Sequence, residues 1–124
     1  MRETILVVED GDAVRSLVCL MLVQNGYRVL EAGDGPHAIR LCETHPEPIQ
    51  LVLSDLMMPH MKGGELVERL LRIRPGLRIL LMSGYVDEPV APHAGKPAVA
   101  FLPKPFTSVE LVAKVRQVLD GPHG

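Results

Sequence analysis

The stretch LVLSDLMMP, from Leu51 to Pro59, sets the pattern for the whole chain. Its first four residues are mostly apolar and show no alternation with polar residues, which is typical of a strand buried on both faces of a parallel sheet. Asp55 follows at the point where this strand ends. Ligands and reacting groups collect at the carboxyl ends of strands in open α/β sheets. Asp55 is therefore the first candidate for chemistry.

Length and composition predict one globular unit. The chain has 124 residues, enough for one domain with its own core and too few for a second domain of ordinary size. Apolar residues make up 47% of the chain and charged residues 23%, which excludes a disordered tail, and no apolar run approaches the ~20 residues of a membrane span. The net charge of −2, with no long basic run, argues against nucleic-acid binding. We predict a single domain over residues 1–121 and a frayed tail over residues 122–124.

The two cysteines, Cys19 and Cys42, lie in stretches with helical periodicity and lack the spacing of metal ligands. They are interpreted as buried thiols in a reducing compartment rather than as a disulfide. No charged and then apolar leader precedes Ile5. We therefore expect a cytoplasmic protein.

Four further short apolar runs alternate with segments of helical periodicity. Asp12 is predicted to cap the first helix, Asp34 begins the second, and Thr107 with Glu110 forms a capping box for the last. The apolar stripe of the first helix is predicted to consist of Val14, Leu17, Val18, Met21 and Leu22. The predicted strands span residues 5–8, 27–32, 51–54, 78–82 and 99–102.

This alternation, with short connections, predicts an α/β fold: a doubly wound, five-stranded parallel sheet with helices on both faces. Pro103 suggests that the last strand lies at an edge of the sheet, because proline cannot donate to an inner ladder. The segment from Tyr85 to Ala98 contains three prolines, which prevent a full helix there. We expect a short or irregular fourth helix.

The strand ends carry the residues with chemistry: Glu9 and Asp10, Asp55, Ser83 and Lys104. Crowded carboxylates repel by ~4 kcal/mol per pair at 4 Å with an effective dielectric constant of 20, so a cation must compensate. A hard divalent ion such as Mg²⁺ prefers oxygen ligands and would accept further oxygen from a phosphoryl group. Lys104 adds a point charge for the same anion and Ser83 a hydroxyl donor. A carboxylate in this setting is placed to attack phosphorus and form an acyl phosphate.

Four motifs in order, each at a strand end, identify a family. They are VVED at residues 7–10, SDLMMP at 54–59, MSG at 82–84 and LPKPF at 102–106. With them the chain resembles a receiver domain of two-component signalling over essentially its whole length. The resemblance implies that Asp55 accepts a phosphoryl group from a kinase phosphohistidine. The domain would then be a signalling phosphoacceptor and not an enzyme. It also implies that Mg²⁺ or Mn²⁺ is bound by Glu9, Asp10, Asp55 and the backbone carbonyl of Met57.

The same resemblance implies further roles. Ser83 and Lys104 would hold the phosphoryl group, Ser83 and Phe101 would form the conformational switch, and the Lys104–Pro105 bond would be cis. The implied fold is flavodoxin-like, with strand order 2-1-3-4-5. Within the family, the motifs are most similar to the carboxyl-terminal receivers of hybrid sensor histidine kinases. The implied partner is a histidine kinase or a histidine phosphotransfer protein, with no membrane contact, and the expected state is a monomer or weak dimer.

Three other functions are possible for such a fold. An aspartyl-nucleophile phosphatase needs an acid two residues after the nucleophile, where this chain has Met57. A flavin module needs a phosphate loop rich in Ser, Thr and Gly after the first strand, where this chain has Glu9 and Asp10. A receiver that only docks and takes no phosphoryl group is the third alternative. It is disfavoured because every site position holds a competent residue, although the sequence leaves it open.

Overall fold

A computed structural model of the chain describes residues 2–55, 63–83 and 99–121, apart from the side chains at positions 63, 64 and 83. Short loops join strands and helices that alternate along the first part of the chain. The elements are β1 (Thr4–Val8), α1 (Asp12–Gln24), β2 (Arg28–Ala32), α2 (Gly35–Thr44), β3 (Leu51–Asp55), α3 (Gly63–Ile73), β4 (Arg78–Ser83), β5 (Val99–Pro103) and α4 (Ser108–Asp120).

The five strands form one parallel sheet in the order β2-β1-β3-β4-β5. The predicted fold and strand order are therefore confirmed, and β5 lies at an edge as Pro103 suggested. β1 and β3 lie side by side at the centre, with Val8 opposite Ser54. This register places the residues that follow β1 next to the end of β3. The proline-containing segment 84–98 and the tail 122–124 lie outside the described residues.

Helices cover both faces of the sheet because successive strand side chains point to opposite faces. One face packs on α2 and α3 through Ala38, Ile39, Cys42, Leu66, Val67 and Leu70. The other packs on α1 and α4 through Val18, Cys19, Leu22, Leu111 and Val115. The central strands β1 and β3 are buried along their whole length, which is why their sequences lack alternation.

The predicted inner stripe of α1 is confirmed for Val18, Met21 and Leu22 and is wrong for Val14 and Leu17. Val14 and Leu17 are 45% and 54% exposed, and the buried residues of the helix are Val18, Cys19 and Leu22. These three follow Arg15 at spacings of three, four and seven residues, so the helix directs Arg15 to the sheet side. The apolar pattern fits both the predicted rotation of α1, with Val14 and Leu17 inward, and the observed rotation, with Arg15 inward. Polar partners of Arg15, described below, favour the observed one.

Two of the three predicted helix starts are confirmed. Thr107 and Glu110 form the predicted capping box, and the Asp34 carboxylate caps α2 by accepting from the His37 N–H. The predicted cap by Asp12 is wrong: α1 begins one residue earlier, with Gly11 at the cap position and no side-chain cap. Asp12 is the first helical residue, and its carboxylate accepts a hydrogen bond from Arg15 instead.

Both cysteines are free and buried, as predicted. Burial raises the pKa of Cys19 to about 11 and also raises that of Cys42, so neither thiol is primed as a nucleophile. Within the described ranges, no helix combines the length and the apolar character needed to cross a membrane.

Candidate functional site

Three carboxylates meet at the carboxyl edge of the sheet. Glu9 and Asp10 directly follow β1, and Asp55 is the last residue of the neighbouring β3. One oxygen from each lies within 4.8 Å of the others. Glu9 is 4% exposed and Asp55 8%, whereas Asp10 is exposed. The cluster is therefore a half-buried acidic site with one side open to solvent.

Lys104, directly after β5, brings a positive charge to this cluster. Its Nζ donates to Asp55 Oδ2 at 2.8 Å and lies 3.9 Å from Glu9 Oε1. The Lys104–Pro105 bond is cis, as the family resemblance implied. The Ser54 hydroxyl donates to the backbone carbonyl of Asp55 at 3.1 Å, which fixes the main chain at the end of β3.

The two oxygens of Glu9 have different surroundings. Oε2 accepts the Gly11 N–H at 2.8 Å, while Oε1 is buried and accepts no hydrogen bond from any described residue. Burial raises the pKa of Glu9 to about 7; the Gly11 N–H opposes this shift, and the Asp10 and Asp55 carboxylates reinforce it. A buried acceptor without a donor is unfavourable, and a bound cation would satisfy it.

The donor set fits a divalent cation. Carboxylate oxygens are the ligands that hard ions such as Mg²⁺ and Mn²⁺ prefer. Three carboxylates facing one lysine leave negative charge uncompensated, at roughly 3 to 4 kcal/mol of repulsion per pair at this spacing and an effective dielectric constant of 20. Glu9, Asp10 and Asp55 could therefore hold such an ion, and Glu9 Oε1 is the oxygen with most to gain.

The other sequence-predicted residues are placed in part. Ser83 ends β4 opposite Pro103, and β4 neighbours β3, so its backbone lies at the same edge as Asp55; its side chain is not described. Phe101 lies in β5, is partly buried and packs against the α2 and α3 face. Met57, the predicted carbonyl ligand, lies outside the described residues.

Sequence reasoning missed Arg15. Its Nη1 donates to the Glu9 carbonyl at 2.8 Å, which ties α1 to the loop that carries the acids. The available signal was an arginine three residues after Asp12, a spacing that places the two on one helix face. That spacing alone does not reveal the contact with Glu9, because it depends on the rotation of α1.

Comparison with known proteins matches this arrangement. A family model described as the response regulator receiver domain matches residues 5–116. The chain is 36% identical over 118 residues to the sensor kinase CckA of Brucella abortus, covering 94% of this chain and 12% of that kinase. It is 33% identical over 116 residues to the response regulator receiver protein CpdR of the same bacterium, covering 93% of this chain and 95% of CpdR.

Solved structures agree. The crystal structure of the receiver domain from the hybrid histidine kinase CckA has a TM-score of 0.80 at 36% identity, covering 94% of this chain and 99% of that one. The predicted likeness to hybrid-kinase receivers is thereby confirmed. The chain spans only 12% of the length of the CckA sensor kinase, so the match concerns the receiver portion. This chain belongs to the response regulator receiver domain family of two-component signalling.

Proposed function

We propose that this chain is a phosphoacceptor: Asp55 takes a phosphoryl group from a phosphohistidine in a Mg²⁺-dependent reaction, and the modified domain relays the signal by a change of conformation. The acting unit is a single receiver domain over residues 1–121. Its role is that of a signalling phosphoacceptor that takes part in its own phosphotransfer, not that of an enzyme with a separate substrate.

One observation carries the proposal. The Asp55 carboxylate lies at the end of a central strand, hydrogen-bonded to Lys104 at 2.8 Å and within 4.8 Å of the Glu9 and Asp10 oxygens. A nucleophilic carboxylate, a lysine and two further acids in one half-buried site supply the parts needed for aspartyl phosphate formation. Surface acids alone would not be buried beside a lysine in this way.

The reaction balances without a further reactant. An Asp55 carboxylate oxygen forms a bond to phosphorus as the phosphorus–nitrogen bond of the phosphohistidine breaks, and the imidazole leaves and takes up a proton from solvent water. The product is an acyl phosphate on Asp55. Lys104 holds Oδ2 and so orients the carboxylate, and its charge remains close to the transferred group.

Glu9, Asp10 and Asp55 would hold the Mg²⁺, with the Met57 carbonyl as a further proposed ligand. When bound, the ion supplies electrostatic stabilisation of the charge on the phosphoryl oxygens. The chain's own contribution is to fix the carboxylates beforehand. Glu9 is held by the Gly11 N–H and by burial, and Asp55 by Lys104 and by the strand.

We assign the switch to Ser83 and Phe101. The Ser83 hydroxyl is proposed to bind the phosphoryl group together with Lys104, and the response is proposed to pass to Phe101, which is partly buried on the neighbouring strand. The Leu81 and Phe101 positions are paired in register, so a shift at the end of β4 has a short route to Phe101.

The proposed partner is a histidine kinase or a histidine phosphotransfer protein. We propose a cytoplasmic location, where the buried thiols Cys19 and Cys42 would stay reduced. We propose a monomer or weak dimer that contacts neither nucleic acid nor membrane directly.

The test is intact-mass measurement after incubation with acetyl phosphate, with Mg²⁺ or with EDTA, for the wild type and Asp55→Asn. The wild type is expected to gain one phosphoryl group only with Mg²⁺, and Asp55→Asn none in either condition. Equal incorporation by Asp55→Asn would show that Asp55 is not the acceptor. Incorporation that persists in EDTA would refute the dependence on metal.

Transfer from a purified phosphorylated histidine kinase separates the proposal from its main alternative. A receiver that only docks would bind the kinase yet take no phosphoryl group from either donor. Phosphoryl transfer from the kinase to the wild type, and none to Asp55→Asn, is the result that the proposal requires.

A further inference from the structure

Arg15 is the centre of a hydrogen-bonded group that no role in the phosphoacceptor chemistry explains. Its side chain is 18% exposed, and its guanidinium contacts three elements at once. Nη1 donates to the Glu9 carbonyl at 2.8 Å, Nη2 to Asp12 Oδ1 at 2.7 Å and Nε to Glu31 Oε1 at 3.2 Å. The loop after β1, the start of α1 and the strand β2 are thereby joined through one side chain.

The contact with Glu9 completes the restraint of that residue. The Glu9 N–H donates to the Ala32 carbonyl at 3.1 Å, and the Glu9 carbonyl accepts from Arg15. Both polar groups of the Glu9 main chain are therefore engaged, and the side chain is held at Oε2 by the Gly11 N–H. The direction of Glu9 Oε1, the buried oxygen that accepts no hydrogen bond from the described residues, follows from these restraints.

The rotation of α1 supports a specific role. The helix leaves Val14 and Leu17 exposed while Arg15 faces the sheet side. Apolar burial alone does not decide the rotation, because apolar residues lie on more than one side of this helix. The observed rotation is the one that lets Arg15 reach the Glu9 carbonyl.

We propose that Arg15 is a positioning residue for the cation site: it fixes the loop that carries Glu9 and Asp10, and so sets the affinity of the domain for Mg²⁺. Its planar fork presents donors on three separate nitrogens, Nε, Nη1 and Nη2, whereas the three donors of a lysine share a single nitrogen. The inference rests on the cation site of the proposed function. Groups that orient metal ligands in this way commonly affect metal affinity without touching the metal.

Electrostatics makes the opposite prediction, which sharpens the test. Arg15 is a positive charge near the acids, and a positive charge by itself weakens the binding of a cation. Removal of the charge alone would therefore tighten Mg²⁺ binding in Arg15→Gln. Loss of the positioning of the loop that carries Glu9 and Asp10 would instead weaken Mg²⁺ binding. Arg15→Lys keeps the charge and removes the fork, so any loss of affinity in that variant comes from geometry.

The experiment is calorimetric titration of the full chain with MgCl₂ alone, with thermal unfolding measured in parallel. Relative to the wild type, we expect Mg²⁺ affinity to fall about threefold in Arg15→Lys and roughly tenfold in Arg15→Gln. The rate of phosphorylation by acetyl phosphate should recover to the wild-type value at saturating Mg²⁺. A role confined to stability would not give this split between affinity and maximal rate.

Arg116 supplies the matched control. It also bonds two carboxylates, Glu3 and Asp120, but it does so near the opposite edge of the sheet. Arg116→Lys and Arg116→Gln should lower the melting temperature and leave Mg²⁺ affinity unchanged. Unchanged affinity in Arg15→Lys, or tighter binding in Arg15→Gln, would overturn the positioning role. If Arg15→Gln does not fold, Arg15→Lys decides.

The outcomes separate this inference from the proposed function. A wild type that neither binds Mg²⁺ nor gains a phosphoryl group refutes both. A wild type that does both, with Arg15 variants that behave like the Arg116 variants, refutes the positioning role alone. Mg²⁺ binding that depends on Arg15 without phosphoryl incorporation supports the positioning role and refutes the phosphoacceptor.

Discussion

The two edges of the sheet use charge in opposite ways. At the carboxyl edge, Glu9, Asp10 and Asp55 are crowded around Lys104, and Glu9 Oε1 accepts no hydrogen bond from any described residue. At the amino edge, arginines are matched by acceptors. Arg74, for example, donates to three backbone carbonyls, those of Cys42, His45 and Glu47.

The pKa shifts show the same contrast. The pKa of Glu9 is raised to about 7, chiefly by burial, so its charged form is disfavoured. The pKa values of Glu3 and Asp120 are lowered, in each case chiefly by a hydrogen bond from Arg116. The amino edge therefore stabilises the charges it holds, whereas the carboxyl edge retains an arrangement that a bound cation would complete. We interpret the amino edge as structural and the carboxyl edge as functional.

The largest expected effect comes from Arg78 at the amino edge. This residue is buried, and its guanidinium donates to the carbonyls of Val118, Leu119 and Gly121 at the end of α4. Arg78→Met removes the guanidinium donor from these three carbonyls, of which that of Val118 keeps the Gly121 N–H, and removes a cation from the negative end of the helix. We expect unfolding free energy, measured with urea, to fall by about 2 to 4 kcal/mol.

Arg72→Met is the control for that change, because Arg72 is an exposed arginine in the last turn of α3. It should alter stability by less than about 0.5 kcal/mol. Under conditions where Arg78→Met is folded, its Mg²⁺ affinity should equal that of the wild type. A parallel loss of Mg²⁺ affinity would show that the two edges are not separable.

At the carboxyl edge, Glu9→Gln is expected to raise the unfolding free energy, whereas Arg78→Met lowers it. The amide removes one charge from the buried carboxylate cluster, although it also weakens the attraction to Lys104 at 3.9 Å. In EDTA at pH 8 we expect a net gain of about 1 to 2 kcal/mol in unfolding free energy. The stabilisation that Mg²⁺ gives the wild type should be largely lost.

Glu43→Gln, an exposed change in α2, controls for the loss of a negative charge. It should leave both the stability in EDTA and the response to Mg²⁺ close to those of the wild type. A destabilised Glu9→Gln would mean that the acids are satisfied without a cation, and the contrast between the edges would be lost.

Most of the fold was predictable because strand and helix patterns are local. The continuous apolar runs of β1 and β3 predicted buried parallel strands, and the Thr107 and Glu110 pair predicted a helix start. The rotation of α1 was not predictable, because apolar residues occur on more than one side of that helix. The observed rotation brings Arg15 to the Glu9 carbonyl, a polar contact that no periodicity encodes.

The candidate site was predictable as a set of residues and not as a geometry. Parallel strands with known order bring Glu9, Asp10 and Asp55 to one edge, and Lys104 follows the last strand. The asymmetry between the two Glu9 oxygens depends on the turn at Gly11 and on burial, which are tertiary properties. The roles of Ser83, Phe101 and Met57 stay predictions.

The smallest expected effect is the pH dependence at the amino edge. Arg116 donates to Glu3 at 2.8 Å and to Asp120 at 2.7 Å and lowers both carboxyl pKa values. Because these pKa values are lower in the folded protein, the unfolded chain binds more protons below about pH 5. The stabilisation from the Arg116 ion pairs is therefore present above the unfolded pKa values of about 4. It is lost as the pH falls through the folded pKa values. Urea unfolding of the wild type and Arg116→Gln should therefore differ most near neutral pH and converge on acidification. Glu9, whose raised pKa gives the opposite slope, is present in both proteins and cancels in the difference. A difference that stays constant from neutral to acidic pH would mean that Arg116 acts through packing rather than through its charge.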